Sequence, residues 1–298
     1  MKLHRRRFHS MGCPCEIGVF STDAKEAELA MAEAENEVHR LDRKFSHFSK
    51  DSYITRLQSE ARQAGGVEVD AETASLLGYA ANQFEISHGL FDITTGRLAR
   101  LWHRRESLPT NTELSSALQS TGWARLQWKS PRLSIPKGMQ LELGGIVKEY
   151  AADRAALLLK RREMNSAWVE LGGDIHATGP RVDRKPWNMG IRNPDHRQQQ
   201  TGKAMAAIPV HGGGLATSGD YERVSVINGK RYGHIIHPGT GWPVNGFQSV
   251  SVLAPSCLLA GSLSTLTMLM GHKDGLNMLK ECGFSWMART ANGADHNG

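Results

Sequence analysis

Residues 141–155 read LELGGIVKEYAADRA. An apolar, strand-like approach ends at Gly144-Gly145, and Lys148 follows three residues later, where a helical pattern begins. Val147, Ala151, Ala155 and Leu158 recur near a period of 3.6 in an alanine-rich run, so a helix to about residue 162 is expected. Paired glycines before a helix let backbone approach a ligand closely. The free N–H groups and the dipole at the helix start favour an anion there. A tight turn followed by a solvent-facing lysine would use the same residues.

Outward from this stretch, strands and helices alternate without a regular βαβ rhythm. A strand is expected at 15–20, then a long helix at 24–44 with Leu29, Val38 and Leu41 on its buried side. A short helix follows near 52–58, Gly65-Gly66 breaks the chain, and a second long helix spans 71–88 behind the β-like VEVD. Residues 109–138 are turn-rich. WVELGGDIHATG (167–178) reads as a strand pair, and the short strands after Trp187 are separated by turns. Glu-Leu-Gly-Gly occurs at 142–145 and again at 170–173; the two copies read as strand ends that face one ligand. A last helix is expected at 258–269, then a short α/β tail, with residues 290–298 as a disordered end. The fold class is therefore α+β, one domain over 1–298, with mixed or antiparallel sheets packed by long helices.

The chain has 298 residues, 40% hydrophobic and 22% charged, in the range of folded domains. Its net charge of +6 is spread over separate clusters, Arg5-Arg6-Arg7, Arg104-Arg105 and Lys160-Arg161-Arg162, without aromatic interleaving. That argues against a nucleic-acid partner and suits phosphate-bearing small molecules. No apolar run reaches the ~20 residues of a membrane span, and no apolar h-region follows the basic start. The four cysteines, Cys13, Cys15, Cys257 and Cys282, read as thiols. A cytoplasmic setting is expected, or a periplasmic one if the N-terminus is trimmed.

Four segments combine glycine with polar residues: GLFD (89–92), ELGGIVKEY (142–150), ATSGDYER (216–223) and HIIHPGTG (234–241). His234 suits deprotonating a hydroxyl, because imidazole titrates near neutrality. His234 and His237 point to opposite faces of a strand, so a metal pair needs the Pro238-Gly239 turn to bring them together. Asp92 and Asp220 are equally well read as turn formers.

The order of these segments resembles the FAD:protein FMN transferase, or ApbE, family, over about residues 11–271. FHSMGCPCEI is similar to the family's opening Met-Gly strand, and FSHFSKDSYITRLQ to its aromatic-rich segment, with Phe48 at a tyrosine place. GLFDITTGRL resembles Gly-Ala-Phe-Asp-x-Thr-x-Gly-x-Leu, and LELGGIVKEYAADRA resembles Asp-Leu-Gly-Gly-Ile-x-Lys-Gly-Tyr-Ala-x-Asp. WVELGGDIHATG, ATSGDYER and HIIHPGTGWPV resemble the family's Val-Asn-Leu-Gly-Gly-Asn, Ser-Gly-Asp-Tyr and His-Ile-Ile-Asp-Pro-x-Thr-Gly-x-Pro segments. The resemblance implies a T-fold-like architecture and FAD as substrate. A Thr or Ser hydroxyl of an acceptor flavoprotein would attack the FMN phosphorus, with Mg²⁺ as cofactor and AMP as leaving group. By position it implies FAD contacts at Met11, Phe48, Leu90, Phe91, Asp92, Glu142, Lys148 and Ile235, and His234 as the base.

Two departures stand out. The family's Asp-Pro-x-Thr-Gly is His237-Pro238-Gly239-Thr240-Gly241 here. Its metal helix, Ala-Asp-Ala-x-x-Thr, is Ala260-Gly261-Ser262-Leu263-Ser264-Thr265. The implied metal positions are thus Gly145 through its carbonyl, Gly261 without a carboxylate, and Thr265. Mg²⁺ is usually held by one or two carboxylates plus phosphates, so an FAD carrier or accessory subunit without transferase activity is the alternative reading.

Overall fold

The structure is a computed structural model that describes residues 1–47, 49–103, 105–194, 204–220 and 224–298. The chain opens with an antiparallel hairpin, β1 (Lys2–Ser10) and β2 (Cys13–Ser21), turned through Met11 and Gly12 at φ 53° and 71°. The expected strand at 15–20 is the middle of β2. The basic run lies on a strand that sequence reading did not anticipate. Arg5 and Arg7 meet Glu16 across the hairpin, and Arg6 meets Glu28 and Glu35 of α1 (Ala24–Phe45). Asp23 caps α1 by accepting from Lys25 N and Glu26 N. Ala27, Ala30, Ala34, Val38 and Leu41 form its buried stripe, whereas Leu29, expected there, is 49% exposed.

After α2 (Tyr53–Glu60) and β3 (Val67–Glu68), Asp70 caps α3 (Ala71–Ile86). This helix stops short of residue 88 because His88 and Gly89 take φ of 50° and 86°. The turn-rich middle contains α4 (Gly96–Trp102) and α5 (Asn111–Gln119), the latter closed by a Thr110–Glu113 capping box. It also holds β4 (Gln127–Lys129) and β5 (Arg132–Ser134), which make a small sheet in the order β3-β5-β4.

Then come α6 (Gly144–Arg161), β6 (Ala167–Leu171), β7 (Asp174–Ala177), β8 (Trp187–Arg192), β9 (Ala204–Val210) and β10 (Gly213–Gly219). β11 (Ser225–Ile227) and β12 (Lys230–Tyr232) form a separate hairpin, followed by β13 (Phe247–Ala254). The last helical region, α7 (Cys257–Glu281), is broken at Gly271, whose φ of 76° and ψ of −177° are non-helical; its first segment stops close to the expected 269, and a second segment and the strand after it form the expected α/β tail. β14 (Ser285–Thr290) and β15 (Asp295–Asn297) pair antiparallel, so the expected disordered end is instead a hairpin. The Arg289–Asp295 ion pair at 2.7 Å joins its two strands.

The main sheet has eight strands in the order β1-β2-β6-β7-β10-β13-β14-β15, and every neighbouring pair is antiparallel. The α+β expectation holds. Strand side chains alternate between faces. Ile17, Val19, Val169, Leu171, Val250 and Val252 pack under α1, α6 and α7, while Trp168 and Leu215 on the other face meet the β8–β9 hairpin at Trp187, Ile191 and Val210. The alanines of α6, Ala151, Ala152, Ala155 and Ala156, are fully buried and let its neighbours approach closely. Leu159 is buried in place of the expected Leu158. Among the described residues no helix is long and apolar enough to cross a membrane.

Candidate active site

The paired glycines at 144–145 do not end a strand. Gln140 makes a single parallel bridge to Thr95, residues 141–143 are irregular, and both glycines form the first turn of α6. The second Glu-Leu-Gly-Gly is the β6–β7 turn, with Gly172 and Gly173 at φ 60° and 95°. One tetrapeptide therefore has two structures, and only the second copy is a strand end. Glu142 closes the start of α6, its Oε1 accepting from Gly144 N at 2.7 Å while its Oε2 lies 3.3 Å from His47 Nδ1. A carboxylate at a helix N-terminus is the favourable sign.

The GLFD segment meets this helix start. Glu142 N donates to Ile93 O at 2.7 Å, and a Cβ on Gly145 would sit 3.7 Å from Phe91 Cζ. Phe91 and Asp92 are buried, and Leu90 is half-buried. Asp92 is a turn former as well as a candidate contact: its two oxygens accept from Thr94 N (2.8 Å) and Trp123 N (3.1 Å).

Lys148 does not face open solvent. Its Nζ lies 2.6 Å from Asp174 Oδ2 at the start of β7, and the Asp174 side chain is only 2% exposed. Asp174 Oδ1 accepts from Thr217 N of β10 at 3.0 Å. Its Oδ2 is the oxygen that faces the ammonium. Burial pulls the Lys148 ammonium down, but the charges of Asp174 and Glu149 outweigh it and hold the lysine above its ordinary range.

Glu149 escaped the sequence reading. It is 6% exposed and points from α6 towards α7 at Gly261. Burial pushes its carboxyl up to about 7, with Asp174 adding to the rise and Lys148 opposing it. Its Oε2 has no hydrogen-bond partner among the described residues. A signal was present in the sequence. The family pattern has glycine after the lysine where this chain has Glu149, and an acid where it has Gly261.

On α7, Gly261 and Thr265 are one turn apart and share a face. The Thr265 hydroxyl bonds Ser218 Oγ of β10 at 2.9 Å, and Ser218 also bonds Ser264 Oγ at 2.8 Å. The helix start is tightly capped: Asp153 of α6 accepts from Cys257 N at 2.7 Å and Leu258 N at 3.0 Å, and also holds His176 Nδ1 at 2.6 Å. Among the described residues no group of three or more His, Cys, Asp or Glu side chains converges on a metal position.

His234 is exposed on the loop after β12, beside Ile235, which packs half-buried against the main core. This loop meets the end of β10, where a Cβ on Gly233 would lie 3.2 Å from Asp220 Cβ. The His237 ring turns inward on its own loop: Nδ1 accepts from Gly239 N at 3.1 Å and Thr240 N at 3.4 Å. These bonds shape the turn and engage the Nδ1 lone pair that a His234–His237 metal pair through that atom would need. A groove of about 410 Å³ opens between this turn and Gly271 of α7, and no residue implied in FAD contact lines it. Met11 sits in the β1–β2 turn, its N–H donating to Asp42 Oδ2 at 2.7 Å. Phe48, and residues 221–223 of the ATSGDYER segment, lie outside the described residues.

The ApbE family model matches residues 11–286, beyond the expected 271 and into β14. The FAD:protein FMN transferase of Treponema pallidum is 31% identical over 91% of this chain and 80% of its own length. That of Haemophilus influenzae is 28% identical over 86% of this chain and 76% of its own. The crystal structure of the ApbE protein from Thermotoga maritima superposes with a TM-score of 0.90 at 30% identity, covering 100% of this chain and 97% of that one. The flavin transferase ApbE from Vibrio cholerae gives 0.85 at 27% identity, over 100% and 97% of the two chains.

Proposed function

The chain belongs to the ApbE family, and on that premise we propose that it is an FAD:protein FMN transferase acting on a Thr or Ser of an acceptor flavoprotein. The observation that supports this most is the meeting of two segments distant in sequence. Phe91 and Ile93 of the GLFDI stretch pack on Glu142 and Gly145 at the start of α6, one turn before Lys148. The diphosphate of FAD would lie along this glycine-lined helix start, with the Lys148 cation beside it. Met11, Leu90, Phe91, Asp92, Ile235 and Phe48 are the remaining FAD contacts of this reading.

In the reaction the acceptor's hydroxyl oxygen forms a bond to the FMN phosphorus, and the bond from that phosphorus to the AMP oxygen breaks. His234, exposed at the mouth of its loop, takes the hydroxyl proton. Phosphoryl transfer of this kind depends mainly on positioning and charge stabilisation. Mg²⁺, when bound, supplies neutralising charge at the diphosphate; Gly145 through its carbonyl and Thr265 through its hydroxyl are candidate ligands. The carrier alternative rests on the glycine at 261, where the Glu149 side chain stands in the space a side chain would take. A cytoplasmic setting is supported by the thiols: Cys15 and Cys257 are buried and Cys13 Sγ stays 4.0 Å from Cys15 Sγ.

The purified chain is expected to bind FAD non-covalently, quenching flavin fluorescence with a dissociation constant of tens of micromolar or tighter, roughly −6 kcal/mol or better. With Mg²⁺ and an acceptor flavoprotein, intact mass should show FMN added to the acceptor and chromatography should show AMP. No quenching at such concentrations rejects the assignment.

A further inference from the structure

We propose that Glu149 is the carboxylate ligand of a hard divalent cation held between α6 and α7, in the notch left open by Gly261. A Cβ built on Gly261 would stand 2.6 Å from Glu149 Cγ and 3.0 Å from both its Cδ and Oε1. The glutamate side chain therefore occupies the space where a side chain at 261 would begin. It reaches that space from the opposite helix. Only glycine at 261 permits this arrangement without displacing Glu149.

The carboxylate arrives there without a partner. Its Oε2 is buried and accepts no hydrogen bond among the described residues. Leaving a buried charged oxygen unpaired is costly. The nearby donors are committed elsewhere: Lys148 Nζ to Asp174, and Tyr79 Oη to Ser262 Oγ at 2.7 Å. The oxygens on the same helix faces make a consistent donor set. Gly145 precedes Glu149 by one turn of α6, and Thr265 follows Gly261 by one turn of α7. Carboxylate, carbonyl and hydroxyl oxygens with no sulfur or imidazole select Mg²⁺ or Mn²⁺ over softer ions. A single protein carboxylate suffices where a diphosphate supplies further oxygens. In that respect the inference rests on the transferase reading.

The arrangement reverses the expectation for residue 261. Sequence alone suggests that Gly261→Asp would build a better Mg²⁺ site beside Thr265. With Glu149 in the notch, the aspartate would collide with it and set two acids in one buried space, so that variant alone should lose metal binding. Glu149→Gly together with Gly261→Asp moves the carboxylate from one helix to the other and should regain it.

The test is calorimetry of MgCl₂ into the FAD-saturated full-length protein, with Tm with and without Mg²⁺ as a second readout. The parent should bind Mg²⁺ and gain Tm. Glu149→Gln, nearly isosteric, should fold as the parent does but bind Mg²⁺ at least about 10-fold more weakly, the scale seen on losing even a supporting partner of a metal site. The paired exchange should recover part of the affinity. If Glu149→Gln keeps the parent's Mg²⁺ affinity, or the FAD-bound parent binds no Mg²⁺, the inference is overturned while FAD binding leaves the transferase reading standing. If FAD does not bind, the transferase reading fails, and titration of the FAD-free protein with Mn²⁺ followed by electron paramagnetic resonance decides the ligand: Glu149-dependent binding supports it, and Glu149-independent or absent binding overturns it.

Discussion

His234→Ala lowers the rate of FMN transfer by about 10²–10⁴-fold, the contribution of a positioned general base, and leaves FAD affinity near that of the parent. The asymmetry follows from where the residue stands. His234 is exposed on the loop after β12, apart from the α6 start where Phe91 meets Gly145 and Lys148 follows. Removing its ring takes away a proton acceptor and little packing. His237, three residues on, is the control. Its Nδ1 accepts from Gly239 N and Thr240 N, so its work is to shape the turn. His237→Asp keeps an acceptor at that place and should keep most of the transfer rate. Single-turnover transfer with the acceptor, alongside FAD fluorescence titration, separates the two roles. A His234→Ala variant as fast as the parent would move the base elsewhere, and a loss in FAD affinity matching the loss in rate would make His234 a binding residue.

What the sequence displays is local chemistry, and what it conceals is pairing across the fold. The long helices are legible because their apolar periodicity is; the structure adds caps at three of them, where Asp23, Asp70 and Ser256 accept from backbone N–H groups of the first turn. β6 is legible because Ala167, Val169 and Leu171 alternate with Trp168 and Glu170. β1 is not, because a strand carrying Arg5, Arg6 and Arg7 looks like a solvated arm until Glu16, Glu28 and Glu35 are brought beside it. The C-terminal hairpin is hidden for the same reason, since Asp295 finds Arg289 only once the strands pair. Leu29 fits a helical stripe on paper, yet the neighbouring alanines take the buried side, where α6 approaches closely. The motif residues Phe91, Asp92, Glu142 and Lys148 are visible from resemblance. Glu149 is not, because its meaning depends on Gly261 across the gap between two helices.

Lys148→Met is expected to destabilise the fold by about 3 kcal/mol, at the lower end of the cost of breaking a buried ion pair from one side, because the lysine end of this pair is 21% exposed. For a chain of this size that is a fall in Tm on the order of 10 °C or somewhat less. The cost arises at Asp174. Its side chain is 2% exposed, and with the ammonium gone the Thr217 N–H is the one partner among the described residues left to compensate its charge. Adding Asp174→Asn to Lys148→Met should therefore restore part of the lost stability, since an amide needs no counter-charge. Lys148→Met should also weaken FAD binding, but Asp174→Asn should not rescue that loss, because the diphosphate would still lack its cation. Denaturant unfolding of the parent, both single variants and the double variant gives the coupling between the two sites, and FAD titration of the same four proteins gives the second readout. If Lys148→Met loses FAD affinity at unchanged stability, the lysine serves the phosphates alone and the Asp174 pair carries no weight in solution. If stability falls and the double variant recovers it, the same ammonium both holds α6 against β7 and presents the positive charge that FAD meets. The helix start would then be set in place before the substrate arrives, which is what a reaction catalysed by positioning requires.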